Sequence, residues 1–159
     1  MPPTEPALRQ SGRVLVIDPA GRVLLLEGFD PAEPDRRFWF TIGGGLDDGE
    51  QSAQAALREL REEAGIVAAA GQLAGPVWRR STKFSFDGTW YQQEEDYYLL
   101  RVGHVPVSLA GLDDVERRMV TGYRWWSHEE LAATAQTFFP SELPDLLRRL
   151  AVPEAQPGG

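Results

Sequence analysis

Cysteine is absent from the 159-residue chain, so disulfides and thiolate metal sites are excluded. No apolar run approaches the roughly 18 residues that a membrane-spanning helix requires. The segment 1–10 also lacks the apolar stretch of a secretory signal. We therefore expect a cytoplasmic protein without a membrane partner. Internal repeats are lacking too, and 159 residues suit one compact domain.

Lysine is nearly absent, since Lys83 is the single one, and positive charge is scarce overall. Lysine and arginine together number 16 against 24 acidic residues, which gives a formal net charge of −8. A surface of this sign repels long nucleic acids, whose binding depends on neutralising many phosphates. A small phosphorylated ligand remains compatible with it, because a bound divalent cation reverses the local field.

Both ends of the chain are rich in proline, glycine and polar residues. We expect flexible segments at 1–10 and 153–159, on either side of a single domain over 11–152. Within that domain, the segment 28–37 predicts a loop, and the glycines at 43–45 predict a break in regular structure.

Hydrophobic periodicity predicts strands and helices between the ends. The predicted strands are Arg13–Asp18, Arg22–Glu27, Phe38–Ile42, Leu73–Phe86, Thr89–Val102 and Gly122–Ser127. The predicted helices are Glu50–Ala64, His128–Ala135 and Ser141–Leu150. Asp87 and Gly88 form a strong hairpin signal between the two longest strands. A mixed β-sheet with one central helix and terminal helices indicates an α/β sandwich fold.

Three glutamates lie close together at one end of the helix predicted over 50–64. Glu59 is three and four positions from Glu62 and Glu63, so the three carboxylates are neighbours on the helix. Like charges at this spacing cost roughly 0.2–0.5 kcal/mol per pair. Glu62 and Glu63 also precede Gly65 at the negative end of the helix dipole, at a cost of roughly 0.3–1 kcal/mol each. A hard divalent cation offsets both costs, and magnesium prefers such oxygen ligands.

A solvated acidic face, balanced by Arg58 and Arg61, is the alternative interpretation of this helix. Its surroundings favour a metal site. The helix follows a glycine-rich segment that lets the backbone approach an ion or a phosphate closely. Glu50 lies near the positive end of the helix dipole, and the Arg58 guanidinium can fix the orientation of a carboxylate through a bidentate bond.

The stretch from Gly44 to Ile66 resembles a known family signature. Five residues separate Gly44 from Glu50, and seven more precede the run Arg58–Ile66. This run, Arg-Glu-Leu-Arg-Glu-Glu-Ala-Gly-Ile, completes the signature of the Nudix (MutT-like) hydrolases without a departure at any fixed position. The predicted strands before it, and the strand and helix after residue 122, also follow the order of the family fold.

The resemblance implies an enzyme that hydrolyses a nucleoside diphosphate linked to another group X. It implies magnesium, or manganese, as the cofactor. The implied metal ligands are Gly44 through its carbonyl, Glu59, Glu62 and Glu63. The three glutamates and Arg58, which would orient them, are the implied catalytic residues, and Glu50 would support the metal shell.

The general base is less well defined than the metal ligands. Diphosphate cleavage needs charge neutralisation and positioning above all, and a glutamate of the helix, most simply Glu59, could accept a proton from water. In this family the base can also come from a later loop, for which Glu94, Glu95 and Glu116 are candidates. A charged hairpin edge explains Glu94 and Glu95 equally well, and an exposed position beside two arginines is the favoured interpretation of Glu116.

Candidate substrate contacts come from one strand and one aromatic residue. Arg79, Arg80 and Lys83 cluster on the strand predicted over 73–86. Strand alternation places Arg79 and Arg80 on opposite faces, so only part of the cluster can face one ligand. Phosphate binding and surface solubility explain these cations equally well. Trp39 could stack on a base, although most buried tryptophans are core residues.

Two other functions compete with catalysis. A nucleotide-sensing domain would bind ligand without turnover, and an acidic helix could bind another protein. The complete glutamate set favours an enzyme. The signature predicts the bond that is cleaved but not the group X. The short chain favours a nucleoside triphosphate, with release of pyrophosphate or phosphate. Two copies could also pair through the edges of the long hairpin to form a homodimer.

Overall fold

The computed structural model of this protein describes residues 7–150. Within these residues the chain forms seven strands and four α-helices. The strands are β1 (Ala7–Ile17), β2 (Val23–Asp30), β3 (Glu33–Gly45), β4 (Ala74–Phe86), β5 (Thr89–Arg101), β6 (Val120–Trp126) and β7 (Phe138–Phe139). The helices are α1 (Ser52–Ala64), α2 (Asp114–Met119), α3 (His128–Ala133) and α4 (Leu143–Leu150). Among the described residues, no helix is long and apolar enough to cross a membrane.

The strands join in one mixed sheet. Its main path runs β4-β5-β1-β2-β3-β7, and β6 pairs with β2. The β1–β5 and β3–β7 pairs are parallel, whereas the other pairs are antiparallel. Strand β1 changes partner along its length, from β3 at residues 11–14 to β2 at Ile17, so the sheet is curled.

Strand alternation divides the core into two layers, one on each face of the sheet. Val14 of β1 packs with Leu60 of α1 on one face. Leu15 of β1 packs with Leu131 of α3 and Leu143 of α4 on the other. Helices therefore cover both faces of a mixed sheet, which confirms the α/β sandwich predicted from the sequence.

The segment 28–37, predicted as a loop, is mostly strand. Strand β2 continues to Asp30 and β3 begins at Glu33, so only two residues connect them. Residues 33–37 are exposed and polar and carry no hydrophobic alternation, which is why the local pattern indicates a loop. Their backbone pairing with β2 decides the structure.

The sequence predicts that the glycines at 43–45 interrupt regular structure. In the structure they stay within the sheet and form the end of β3. They pair with residues 11–13 of β1. Gly43 has a φ of +149°, and a Cβ there would lie 2.5 Å from the carbonyl oxygen of Gly12. Glycine is thus needed for the close approach of two strands and not for a turn.

Strand β1 begins six residues earlier than predicted. Ala7–Gln10, expected to be flexible, pairs in parallel with Tyr91–Glu94 of β5. The expectation is wrong for these four residues, because pairing with a strand distant in sequence leaves no mark in local composition. The rest of the segment 1–10, and the segment 153–159, lie outside the described residues.

The longer predicted elements are confirmed, with ends that differ by a few residues. Asp87 and Gly88, with φ of 49° and 81°, form the left-handed turn predicted between β4 and β5. Ser127 caps the start of α3, since its Oγ accepts the Glu130 N–H at 3.0 Å.

Helix α2 and strand β7 are missing from the predictions. A usable signal for α2 exists, because Asp113 and Glu116 have the spacing of a capping pair. In the structure Asp113 Oδ1 accepts the Glu116 N–H at 2.8 Å. Strand β7 has only two residues, too few for any periodicity.

Candidate metal and substrate site

The apolar stripe of α1 fixes the direction of its glutamates. Ala56, Leu60 and Ala64 are fully buried against the sheet, which sets the rotation of the helix about its axis. The helix ends at Gly65, whose φ is 69° and whose N–H donates to Arg61 O at 3.0 Å. Gly65 is therefore a left-handed glycine cap.

Three carboxylates meet at the edge of α1. Glu59 and Glu62 of α1 and Glu116 of α2 each offer an oxygen, and these three atoms lie within 4.8 Å of one another. All three side chains are partly buried, so water screens their mutual repulsion incompletely. We call these three residues the glutamate cluster.

Glu63 adjoins the glutamate cluster in a different environment. Its side chain is only 3% exposed, and its Oε1 accepts the Gly43 N–H at 2.9 Å. Burial, followed by the charges of Glu59 and Glu116, raises the pKa of Glu63 well above its ordinary value. Of the three glutamates predicted as ligands, Glu59 and Glu62 thus lie in the close group, and Glu63 is their buried neighbour.

Glu116 was the least favoured loop candidate, and its interpretation as a simple exposed residue is wrong. Its side chain is half-buried in the glutamate cluster. Burial raises the pKa of Glu116, although hydrogen bonds from the Asp113 backbone and to Glu63 act in the opposite direction. Helix α2 brings it to α1 from more than fifty residues away, a distance that no local pattern spans.

Arg58 connects the parts of the site. Its Nε and Nη2 donate to the two oxygens of Glu50 at 3.0 and 2.9 Å. Its Nη1 donates to Glu59 Oε1 at 2.7 Å and to Glu62 Oε2 at 3.3 Å, and its Nη2 reaches Gly45 O at 2.9 Å. The hydrogen bond with Arg58 lowers the pKa of Glu50. Arg58 therefore holds two members of the glutamate cluster, and Glu50 holds Arg58.

Gly44 lies directly against Glu59. A Cβ at Gly44 would come 2.8 Å from Glu59 Oε1, closer than real side chains approach. Only glycine lets the backbone come this near to the carboxylate. Gly44, whose carbonyl is the further ligand implied by the sequence, therefore lies next to the glutamate cluster.

The donor set fits a hard divalent cation. Burial raises the pKa of Glu59, and the charges of Glu116 and Glu62 raise it further against the hydrogen bond from Arg58. Three carboxylates share the single positive charge of Arg58, so the glutamate cluster has an excess of acidic groups. Carboxylate oxygens held this close are the ligands that magnesium takes in proteins.

An aromatic cavity of about 550 Å³ opens beside the glutamate cluster. Its aromatic lining residues are Phe38, Phe40, Phe84, Phe86, Tyr97 and Phe139. Polar side chains among them include Thr82 and Gln93. The Phe38 ring lies 5.7 Å from Phe40 and 5.6 Å from Phe139, between ring centroids. Such a mixture of rings and a few polar groups suits a planar heterocycle.

A second cavity, of about 610 Å³, is lined mainly by polar residues, and we call it the polar cavity. Arg58 and Glu62 are part of its wall. The residues that line both cavities are Arg9, Gly45, Glu59 and Asp113. The two cavities therefore meet at the glutamate cluster.

The three cations predicted as substrate contacts separate in the structure. Arg80 and Lys83 line the aromatic cavity. The Arg79 side chain lies on the face of β4 opposite to Arg80, where it is 72% exposed and pairs with Asp96 at 3.1 Å. Arg79 lines neither of the two described cavities, so its role as a substrate contact stays a prediction without structural support.

Trp39 lies in the core and lines neither of the two described cavities. Its ring packs edge-on against Trp126, with centroids 5.2 Å apart, and its Nε1 donates to Gln136 Oε1 at 2.8 Å. Strand alternation turns the neighbouring residues Phe38 and Phe40 towards the aromatic cavity instead. The prediction that Trp39 stacks on a base is therefore wrong.

Glu94 and Glu95 of β5 do not join the glutamate cluster. Glu94 is exposed and lines neither described cavity. Glu95 is buried and pairs with Arg13 Nε and, at 2.8 Å, with Arg80 Nε. Both arginines neutralise Glu95, so of the three loop candidates Glu116 alone reaches the cluster.

Arg9 is a site residue that the sequence predictions missed. It lies on β1 and lines both cavities. It falls within the segment expected to be flexible. Arg9, Ser11 and Arg13 are two residues apart, so they share one face of a strand. This spacing is the signal that could have extended the predicted strand towards the N-terminus.

The fold is thus a mixed sheet between helices, with an acidic helix after a strand that ends in glycines. The structure of the Escherichia coli dihydroneopterin triphosphate pyrophosphohydrolase has this fold. It matches with a TM-score of 0.65 over 92% of this chain and 98% of that chain, at 19% identity. At this identity the likeness concerns the fold alone.

The model of the NUDIX domain matches residues 8–149, so this chain belongs to the Nudix family. The dihydroneopterin triphosphate diphosphatase of Escherichia coli (strain K12) is 40% identical over 63 residues, which cover 40% of this chain and 39% of the relative. The RNA pyrophosphohydrolase of Novosphingobium aromaticivorans is 28% identical over 134 residues, 74% of this chain and 76% of the relative. Several matches span only about two fifths to one half of the curated relatives.

Proposed function

We propose that this protein is a metal-dependent hydrolase that cleaves a diphosphate linkage in a small nucleotide-like molecule. The observation that carries the proposal is the approach of oxygens from Glu59, Glu62 and Glu116 to within 4.8 Å of one another. Relatives named for a triphosphate diphosphatase and an RNA pyrophosphohydrolase support this class of reaction.

The glutamate cluster would hold the cation, with the Gly44 carbonyl beside it. A divalent cation supplies charge neutralisation for the phosphates and makes water more acidic. Magnesium is the proposed ion and manganese the alternative, since both take oxygen ligands. Arg58 keeps Glu59 and Glu62 in place, and the bond from Gly43 N–H holds Glu63 behind them.

We assign the proton-accepting role to Glu59. This residue lines both cavities and so lies where the two parts of a substrate would meet. Arg58 Nη1 donates to its Oε1, so Oε2 is the atom that we assign to the proton.

The aromatic cavity favours a substrate with a planar base, and a nucleoside triphosphate is the substrate class that we propose. Its phenylalanines offer faces for stacking, and Gln93 and Thr82 offer polar contacts at the ring's edge. The match to the RNA pyrophosphohydrolase favours the triphosphorylated 5′ end of RNA as a second candidate. The net charge of −8 weighs against a long RNA.

A substrate panel with a matched pair of variants tests the proposed function. Nucleoside triphosphates, nucleotide sugars, dinucleoside polyphosphates and a triphosphorylated RNA are incubated with magnesium, and the products are identified. We expect Glu62→Gln to lower kcat/KM by roughly 100-fold or more, because several kcal/mol of transition-state charge stabilisation depend on the cation. Glu62 is partly exposed, so the fold should survive the change.

The control is Glu129→Gln, which removes the same charge from a side chain that is 82% exposed on α3. Its activity should equal that of the wild type. Equal activity of Glu62→Gln and wild type would exclude the metal role of the cluster. Binding of nucleotides with no product from any of them would support a sensing domain instead of an enzyme.

A further inference from the structure

Arg9 lies where the aromatic and polar cavities join. It is one of the four residues that line both, together with Gly45, Glu59 and Asp113. Its guanidinium rests against the backbone of Gly45, since a Cβ built there would lie 2.6 Å from Arg9 Nη2. A cationic group is therefore placed beside the glutamate cluster, at the passage between two spaces large enough for ligand.

No carboxylate of residues 7–150 lies within 4.0 Å of the Arg9 guanidinium. The other arginines that line the two cavities all have such a partner. Arg13 and Arg80 pair with Glu95, and Arg58 pairs with several carboxylates. Acidic groups outnumber basic ones in this chain, whose net charge is −8, yet Arg9 pairs with none of the described carboxylates. Its guanidinium is therefore available to bind an anion.

The Arg9 side chain has a defined support. Its Cζ lies 5.4 Å from the centroid of the Tyr91 ring, within the range of a cation–π contact. The backbone of Tyr91 also pairs with β1 at Ala7, two residues before Arg9. This contact holds the guanidinium near the junction while its N–H groups stay available for ligand.

The remaining cations of the site are less suited to a phosphate chain. Arg80 is held between Glu95 and, at 3.5 Å, Glu142. Lys83 lines the aromatic cavity but not the polar one. A phosphate chain that starts at a base in the aromatic cavity and passes the glutamate cluster next meets Arg9.

We propose that Arg9 binds the terminal phosphates of the substrate, those farthest from the base, at the entrance of the polar cavity. This inference rests on the proposed function and specifies which side of the cluster receives the leaving phosphates. The planar fork of a guanidinium matches two phosphate oxygens at once. Arg9 is thus a binding residue for the released pyrophosphate as well as for the intact chain.

Calorimetry with inorganic pyrophosphate and with adenosine monophosphate, each with magnesium, tests the inference without turnover. We expect Arg9→Gln to weaken pyrophosphate binding by about 10- to 100-fold, the effect of losing hydrogen bonds to a charged partner. Binding of adenosine monophosphate should stay within about 2-fold. Arg9→Lys should recover part of the loss, because it restores the charge but not the fork. Arg79→Gln is the control, since Arg79 points away from the site and pairs with Asp96.

Unchanged pyrophosphate binding in Arg9→Gln, or an equal loss for the monophosphate, would overturn the inference. A wild type that binds no pyrophosphate would overturn it as well. These outcomes are separate from failure of the proposed function. A protein that binds pyrophosphate through Arg9 but hydrolyses nothing in the panel retains this inference and loses the assignment as an enzyme.

Discussion

At the scale of single residues, Glu95 shows how a carboxylate next to the site can be structural. It is buried and receives hydrogen bonds from Arg13, Arg80 and Gln93, the last at 3.0 Å. Burial alone would raise its pKa, but the charges of Arg13 and Arg80 and their hydrogen bonds outweigh burial and lower the pKa of Glu95. The ionised carboxylate therefore stabilises the fold and supports the wall of the aromatic cavity.

We predict that Glu95→Gln lowers the free energy of unfolding by roughly 3–5 kcal/mol at neutral pH, because the partly buried Arg13 loses its partner. The contribution of Glu95 is complete above the unfolded pKa of about 4.3. It disappears as the pH falls through the lower pKa of the folded state. Denaturant titrations at about pH 7 and about pH 3 should therefore show a difference from the wild type that shrinks in acid.

The exposed neighbour Glu94 supplies the control for this prediction. Glu94→Gln removes one charge from the same strand and should change the free energy of unfolding by less than about 0.5 kcal/mol. A Glu95→Gln penalty that is absent at neutral pH, or equally large in acid, would contradict the role given to the ion pairs.

Residue spacing was enough to predict part of the site. Glu59, Glu62 and Arg58 lie on one short helix, where a period of 3.6 residues fixes their proximity. Glu116 and Arg9 come from α2 and β1, and only the tertiary fold brings them to the helix. Trp39 was misplaced because alternation allows either face of a strand to be the core.

At the scale of elements, the contact between α1 and β1 positions the whole glutamate cluster. Gly12 of β1 lies under the first turn of the helix, and a Cβ there would come 1.8 Å from the backbone oxygen of Ser52. No rotamer change relieves a clash with backbone. The helix can approach the sheet this closely only because residue 12 has no side chain.

We predict that Gly12→Ala lowers the free energy of unfolding by at least about 1–3 kcal/mol, the usual cost of overpacking a core. Displacement of α1 should also weaken binding of the metal. Gly122→Ala in β6 is the matched control, because a Cβ at Gly122 meets nothing within 4 Å. Thermal unfolding of both variants measures the effect, and equal melting temperatures would show that α1 does not need this contact.

Elements with strong periodicity were predictable, and those fixed by pairing were not. The stripe of Ala56, Leu60 and Ala64 identifies α1, and the Asp87–Gly88 turn identifies the long hairpin. The start of β3 at Glu33 carries polar, exposed residues, so its strand structure follows from pairing with β2. Helix α2 has six residues, too few to show a face.

At the scale of the whole molecule, an acidic protein brings three carboxylates to the junction of two cavities. A net charge of −8 would repel a phosphorylated substrate at long range. A bound cation reverses the field locally, and Arg9 and Arg58 add positive charge at the same junction. The affinity for phosphates should therefore depend on the divalent ion. Pairing of two copies through the hairpin edges stays a prediction.

The central claim is that Glu59, Glu62 and Glu116 together bind one divalent cation. Anomalous diffraction from crystals soaked in manganese tests it most directly. We predict a peak within about 2.0–2.6 Å of oxygens from all three side chains, and no peak there in Glu62→Gln. A strongest peak elsewhere, with the three carboxylates turned away from one another, would contradict the account.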